Sequence, residues 1–127
     1  MKIAMIGGFI DIPPLYGGGI ESHIYNLSRE MVKKGHDVVV FTGGNIFSAK
    51  YMNKIKINKI KVKSLPIIPS LSGNYFLGKQ IQKLIKNCNF EIVHGQVYLP
   101  SYSTFISLQN HKIPLFYTEH FWDAWLP

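Results

Sequence analysis

Three observations on this 127-residue sequence predict an α/β fold with a doubly wound, mostly parallel sheet. Short apolar runs without alternation recur along the chain, and each is followed by a segment with helical periodicity. The joints between them are short, and glycine or proline stands where one element hands over to the next. The hydrophobic content of 46% and the length suit one globular domain over residues 1–127.

Residues 2–7 form an apolar strand with no alternation, as expected where both faces are buried. Ile20, Ile24, Leu27 and Met31 then recur at helical spacing. Gly35 suits the left-handed position after that helix. Residues 37–42 (DVVVFT) are a second buried strand, so strand, helix and strand imply a crossover between parallel neighbours. In KIKINKIKVK the apolar positions shift from Ile55 and Ile57 to Ile60 and Val62, which predicts a tight hairpin or a bulge at Asn58-Lys59. The third main strand is then expected over residues 60–65. Leu77, Ile81, Leu84 and Ile85 mark a second helix after the loop set by Pro66 and Pro69. Residues 91–94 are a fourth strand, 102–110 a third helix entered through Pro100 and Ser101, and 113–118 a fifth strand.

The formal net charge is +7, and five of the 14 basic residues fall in KIKINKIKVK. Alternating Lys and Ile give a strand pair with a solvated face, and lysine is a common guard of sheet edges. Lys79, Lys83 and Lys86 share a face of the second helix, which is either solvated or laid against anionic lipid. Nucleic acid is not expected as a partner: Arg29 is the only arginine, and no aromatic-basic RNA motif is present. Cys88, the single cysteine, excludes an intrachain disulfide and suits a cytoplasmic location.

The informative stretch is PPLYGGGIESH, in which Gly17, Gly18 and Gly19 precede the first helix. They serve either a turn and close helix packing, or the approach of a phosphate to the exposed N–H groups of a helix start. A dinucleotide fingerprint is disfavoured, because the tri-glycine comes only after the insert GFIDIPPLYG and no carboxylate ends the second strand. No GxxxxGK[ST] cradle is present either. At the expected carboxyl ends of the strands stand His94, Gln96 and Tyr98, then Glu119 and His120. His94, Glu119, His120 and Asp123 do not have the spacing of a metal-ligand signature, and no metal or other cofactor is expected.

The ordered set PPLYGGGIESH, GHDV, FEIVHGQ and PLFYTEH resembles the N-terminal domain of the family-4 retaining glycosyltransferases. The resemblance covers essentially the whole chain. It implies one half of a two-domain GT-B fold, with the active site in the cleft between two Rossmann-like domains. It further implies transfer of a sugar from a nucleotide-sugar donor to a glycan or lipid-linked acceptor with retention of configuration. Gly17, Gly18 and Gly19 then approach the donor diphosphate, and His120 meets the donor sugar near the reacting centre. Glu21, His94, Gln96, Tyr98 and Glu119 join them as substrate-binding candidates. The family often has a second histidine where this chain has Gln96, whose amide can still hydrogen-bond an acceptor hydroxyl. On this view the donor-binding half lies outside the chain, the domain is itself incomplete at Pro127, and the isolated chain is expected to be inactive. A lipid-linked acceptor would bring a peripheral contact at the inner face of the membrane. The alternative is a non-catalytic Rossmann-like module, or a subunit that needs a partner chain. Phe121, Trp122 and Trp125 are expected to promote self-association.

Overall fold

The apolar run at the N-terminus lacks alternation because both faces of its strand are covered. In the computed structural model, which describes residues 1–9, 18–44, 48–62 and 65–120, the elements follow as β1 (Lys2–Ile6), α1 (Gly19–Lys33), β2 (Asp37–Gly44), β3 (Ser48–Met52), β4 (Ile55–Lys61), α2 (Pro69–Lys86), β5 (Ile92–Gly95), α3 (Tyr98–Leu108) and β6 (Leu115–Tyr117). One sheet takes the order β3-β4-β2-β1-β5-β6. All neighbours are parallel except β3 and β4. This is the Rossmann-like, mostly parallel sheet that the sequence predicts.

The strand period of two divides each central strand between two cores. Ile3 and Met5 of β1 join Val38, Val40, Ile55 and Ile57 beneath Ile24 of α1. Ala4 and Ile6 turn the other way, with Val39, Phe41 and Val93, under Leu77, Ile81 and Ile85 of α2 and Leu108 of α3. Gly35 ends α1 as expected, with φ at +88°. Its N–H donates to Val32 O (2.9 Å) and the His36 N–H to Met31 O (3.1 Å), which satisfies two terminal carbonyls.

The basic segment differs from expectation. Residues 55–61 form one continuous strand, and the turn lies earlier, at Asn53 and Lys54, whose φ values are +48° and +65°. That pair of left-handed residues makes the tight hairpin with β3, and the Asn53 amide donates to the Tyr25 hydroxyl of α1 (2.6 Å). The phase shift in the apolar pattern is therefore a change of buried face. Ile55 and Ile57 point to the α1 core, whereas Ile60 and Val62 belong to the α2 and α3 core. β4 is also an inner strand, so its lysines guard no edge. The third helix begins at Tyr98, and Pro100 sits within its first turn, where a missing N–H costs nothing. Among the described residues, no helix is long and apolar enough to cross a membrane.

α2 and α3 approach each other closely at Gly78. A Cβ there would strike the Ser103 hydroxyl and come within 2.7 Å of the Pro100 carbonyl oxygen. The Thr104 hydroxyl is within hydrogen-bonding distance of both Pro100 O (2.7 Å) and Gly78 O (3.1 Å), so it stitches the two helices together.

Candidate active site

The parallel strands release their chains at one edge of the sheet, and backbone bonds carry the pairing one step further. The Gly7 N–H donates to Phe41 O (2.9 Å), the Gln96 N–H to Ile6 O (3.0 Å) and the Thr118 N–H to Gly95 O (3.0 Å). Just beyond, Gly8 has φ +65° and lies against Val97, where a Cβ would come within 3.1 Å. These exits fix the side chains that follow β1, β5 and β6.

His94 and Gln96 are two residues apart on β5 and its exit, so they share a side of the sheet. A hydrogen-bonded chain links them to the end of β6. His120 Nε2–H donates to Gln96 Oε1 (2.8 Å). The Gln96 amide nitrogen donates to His94 Nε2 (3.0 Å), whose single lone pair it shares with the Thr118 hydroxyl (2.7 Å). Gln96 is only 1% exposed, and both ends of its amide are committed to the two imidazoles. With Nε2 carrying the His120 proton, Nδ1 of the neutral ring holds its lone pair. The His23 ring, in the second turn of α1, meets the His120 ring edge-on, with centroids 4.9 Å apart and an angle of 71°.

Burial is the main cause that holds the His94 imidazole below the ordinary histidine range, and the neighbouring His23 and His120 add to it. His120 is lowered by burial first and by His23 next, partly opposed by the Glu119 carboxylate. The unfolded chain therefore binds more protons than the folded one as pH falls below the usual histidine value of about 6.5. This contribution to stability is complete above that value and is lost as the pH falls through the depressed folded values. Melting temperature should drop from neutral pH toward about pH 5, and His94→Gln should flatten that drop. An unchanged slope in the variant would remove His94 from the linkage.

The helix start lies beside this cluster. Gly18 caps α1 with extended backbone (φ −75°, ψ 140°) and no side-chain cap. Glu21, the third residue of the helix, folds back so that a Cβ on Gly18 would run into its carboxylate. That is where the glutamate of a capping box reaches. Around Gly19 an added Cβ would meet nothing within 4 Å. Gly17 lies outside the described residues, as do Phe121, Trp122, Asp123 and Trp125.

Tyr98 stands apart from the histidines, in an aromatic row. It stacks on Tyr102 (5.7 Å, 18°) and meets Tyr117 edge-on (6.4 Å). Burial and the hydrogen-bonded Glu119 carboxylate push the Tyr117 phenol up to about 12. The structure thus joins His94, Gln96 and His120, brings His23 of the helix that Gly18 and Gly19 open against His120, and leaves Tyr98 and Glu119 beside Tyr117. Two participants are added to those expected from the sequence. His23 could have been suspected from the Glu-x-His spacing in the helix that the glycines open. Thr118 carried no signal beyond its place in YTEH. Among the described residues, no three His, Cys, Asp or Glu side chains are grouped to hold a metal.

Comparison with known proteins agrees with this architecture. The sequence profile of Glycosyltransferase Family 4 matches residues 17–127. Sucrose-phosphate synthase from Thermosynechococcus elongatus superposes with a TM-score of 0.66 at 15% identity, over 97% of this chain and 34% of that one. The catalytic domain of starch synthase IV from Arabidopsis thaliana, bound to ADP and acarbose, gives 0.66 at 9% identity, over 88% and 31%. The C-terminal domain of a hydrogenase from Pyrococcus furiosus gives 0.63 at 12% identity, over 93% and 90%. At these identities the likeness is one of fold. A 74-residue stretch is also 34% identical to the chloroplastic ribulose bisphosphate carboxylase small subunit 6 of Solanum tuberosum, over 54% of this chain and 35% of that protein, too little of it to assign a family. The chain spans about a third of the length of that relative and of the two synthases.

The sheet order is that of a Rossmann-like domain, the fold it shares with these solved structures. More narrowly, the chain belongs to Glycosyltransferase Family 4, whose profile covers residues 17–127.

Proposed function

We propose that this domain supplies the acceptor side and one wall of the diphosphate site of an enzyme that transfers a sugar from a nucleotide donor with retention of configuration. The observation that carries this reading is the contact between His23 of α1 and His120 after β6, with His120 bonded through Gln96 to His94. It brings the helix that the glycines open against the imidazole of His120, which Gln96 ties to that of His94. Backbone N–H groups at the start of α1 would face the diphosphate. The Glu21 carboxylate leans over Gly18, so an anion reaches those groups from the open side at Gly19 or turns Glu21 away. His120 would meet the donor sugar, its Nδ1 lone pair accepting from a hydroxyl. Protonation would make it a donor to the departing phosphate. Gln96 positions both rings, and His94 anchors the amide from behind.

The donor's other contacts belong to a second, donor-side half, and neither metal nor other cofactor enters the reading. The acceptor is a glycan or a lipid-linked glycan, and the location is cytoplasmic, peripheral to the inner face of the membrane for a lipid-linked one. The exposed thiol of Cys88 suits that compartment. One other reading is a non-catalytic module: a hydrogenase domain of matching size shares the fold, so the fold by itself does not assign sugar transfer.

Nucleoside diphosphate release from a panel of nucleotide sugars, with NMR of the product's anomeric proton, tests the proposal. The 127-residue chain alone should transfer nothing, and adding a donor-side half should give product with the donor's own configuration. An inverted product overturns retention, and transfer by the chain alone overturns the shared site. Failure of every donor-side half to restore transfer favours the non-catalytic module.

A further inference from the structure

The far end of α1 carries a feature that the candidate active site does not use. Arg29, Val32 and Lys33 stand in its last two turns, and the tip of the β3–β4 hairpin, Asn53 and Lys54, completes a cleft of about 690 Å³ with them. That volume lies within the range of small-molecule sites. The two walls are tied together by the Asn53 amide, which donates to the Tyr25 hydroxyl of α1 (2.6 Å).

We propose that this cleft binds the phosphate group of a soluble phosphate monoester, at a site separate from the candidate active site.

Charge selects the class of ligand. Arg29, Lys33 and Lys54 bring three cations to the cleft. Glu30, the one carboxylate paired with them among the described residues, lies 2.7 Å from Lys33 Nζ and 3.5 Å from Arg29 Nε. The balance is two positive charges, which match the charge of about −2 that a phosphate monoester carries near pH 7. The donors are also uncommitted. Arg29 Nε makes no hydrogen bond, and the guanidinium lies over the Tyr25 ring (6.0 Å), a contact that fixes its place without using its N–H groups. Among the described residues Lys54 has no hydrogen bond or ion pair. An arginine held in this way suits the forked recognition of phosphate oxygens, with lysines adding point charges.

The ordinary reasons for a basic surface account for only part of this. Lys33 complements the negative end of the helix dipole. Lys54 belongs to no helix, and it takes a left-handed position (φ +65°) in a two-residue turn where glycine is the favoured residue. A side chain there is at a conformational disadvantage. What lysine supplies in place of glycine is an ammonium on the hairpin wall of the cleft.

Two larger sources of phosphate fit less well. A bilayer would need apolar side chains around the cations, and none of the exposed large apolar residues lines the cleft. Tyr51, beside the turn, alternates to the opposite face of β3 from Met52, which packs toward α1. Single-stranded nucleic acid would need an open aromatic platform, whereas Tyr25 is engaged by Arg29 and bonded to Asn53. Arg29 stands about 15 Å along the α1 axis from Gly19, so an occupant leaves the candidate active site open.

Titration of the 127-residue chain with glycerol 2-phosphate, followed by amide NMR, tests the proposal, with glycerol as the control. Saturable shifts should centre on Arg29, Lys33, Asn53 and Lys54, and glycerol should cause none. Arg29→Gln should weaken binding about tenfold. Lys54→Gly should weaken it about fivefold. The same variant should melt about 4 °C higher, because glycine suits the left-handed position. Glu30→Gln should tighten binding about threefold, since it removes the competing carboxylate. Lys86→Gln, at the end of α2, should change nothing. The proposal is overturned if no saturable shift appears, or if Arg29→Gln and Lys54→Gly bind like the parent. It is equally overturned if Lys86→Gln weakens binding as much, or if Lys54→Gly melts lower, which would make the lysine part of the turn. Shifts confined to Gly19, Ile20 and Glu21 would place the phosphate at the helix start instead. Tighter engagement of Arg29 and Lys54 by phosphatidylglycerol vesicles or by a single-stranded oligonucleotide would assign the cleft to those partners and overturn the monoester. Binding here requires neither a sugar donor nor a second half, so its outcome is independent of the transferase reading.

Discussion

Gly78→Val should lower the stability of the domain by about 3 kcal/mol, the upper range for overpacking a close contact. The sign is diagnostic, because a residue with a side chain usually improves on glycine inside a helix, by up to about 1 kcal/mol for alanine. At Gly78 the new Cβ meets the Ser103 hydroxyl and the Pro100 carbonyl oxygen at 2.7 Å. The hydroxyl can rotate away, but the carbonyl belongs to the first turn of α3 and moves only with the helix. Displacing α3 would also disturb Leu108 in the core and the bond from Thr104 to Gly78 O. Urea unfolding measures the loss. Gly19→Ala is the control, since a Cβ there has open space and stability should stay within about 0.5 kcal/mol. Equal stability of Gly78→Val and the parent would mean that the two helices are free to separate.

The second large effect is expected at Gln96. Gln96→Leu keeps the approximate volume but removes the amide that joins His94 and His120. In the domain joined to a donor-side half, the transfer rate should fall about 100-fold, in the range for a mispositioned proton-transferring group. The loss should appear in kcat with KM little changed, because the amide is buried and its bonds are to the imidazoles. Gln96→His should recover most of the rate, since an imidazole can offer both a donor and an acceptor to its neighbours. If the leucine variant matches the parent, or the histidine variant is as slow as the leucine one, Gln96 has no positioning role.

Much of the sheet was legible in the sequence because its inner strands are buried on both faces and read as unbroken apolar runs. The basic hairpin was not. A period-two pattern records only which face is buried, so a strand that changes cores, as residues 55–61 do, has the same pattern as a turn. The true turn was inconspicuous because Lys54 takes a left-handed position where glycine is the usual signal. At the site, the grouping of His94, Gln96 and His120 followed from the rule that parallel strands present their carboxyl ends together. That Gln96 would be buried between two imidazoles did not follow, since a strand-end amide reads equally well as a substrate ligand. The contact of His23 with His120 was hidden as well, because it depends on how far the first turns of α1 reach past β1. The apolar first turns of α2 passed for loop, because Pro66 and Pro69 suggested a break where Pro69 in fact opens the helix.

The pairing of β1 with β5 also bears on how the site comes into existence. β1, α1, β2 and the β3–β4 hairpin are joined within residues 2–61, and a chain can assemble them early from contacts of short separation. β5 pairs with the opposite edge of β1, and the Lys2 N–H donates to the Glu91 carboxylate across 89 positions of sequence. Closing so long a loop comes late, and it is the step that carries His94 and Gln96 to the strand ends where His120 joins them. During synthesis, β1 would wait with one edge unpaired until the ribosome releases β5. The candidate site would then form after the β1–β4 half has assembled, and amide exchange at Val93 and Gln96, whose N–H groups are bonded to Pro114 O and Ile6 O, would report its completion.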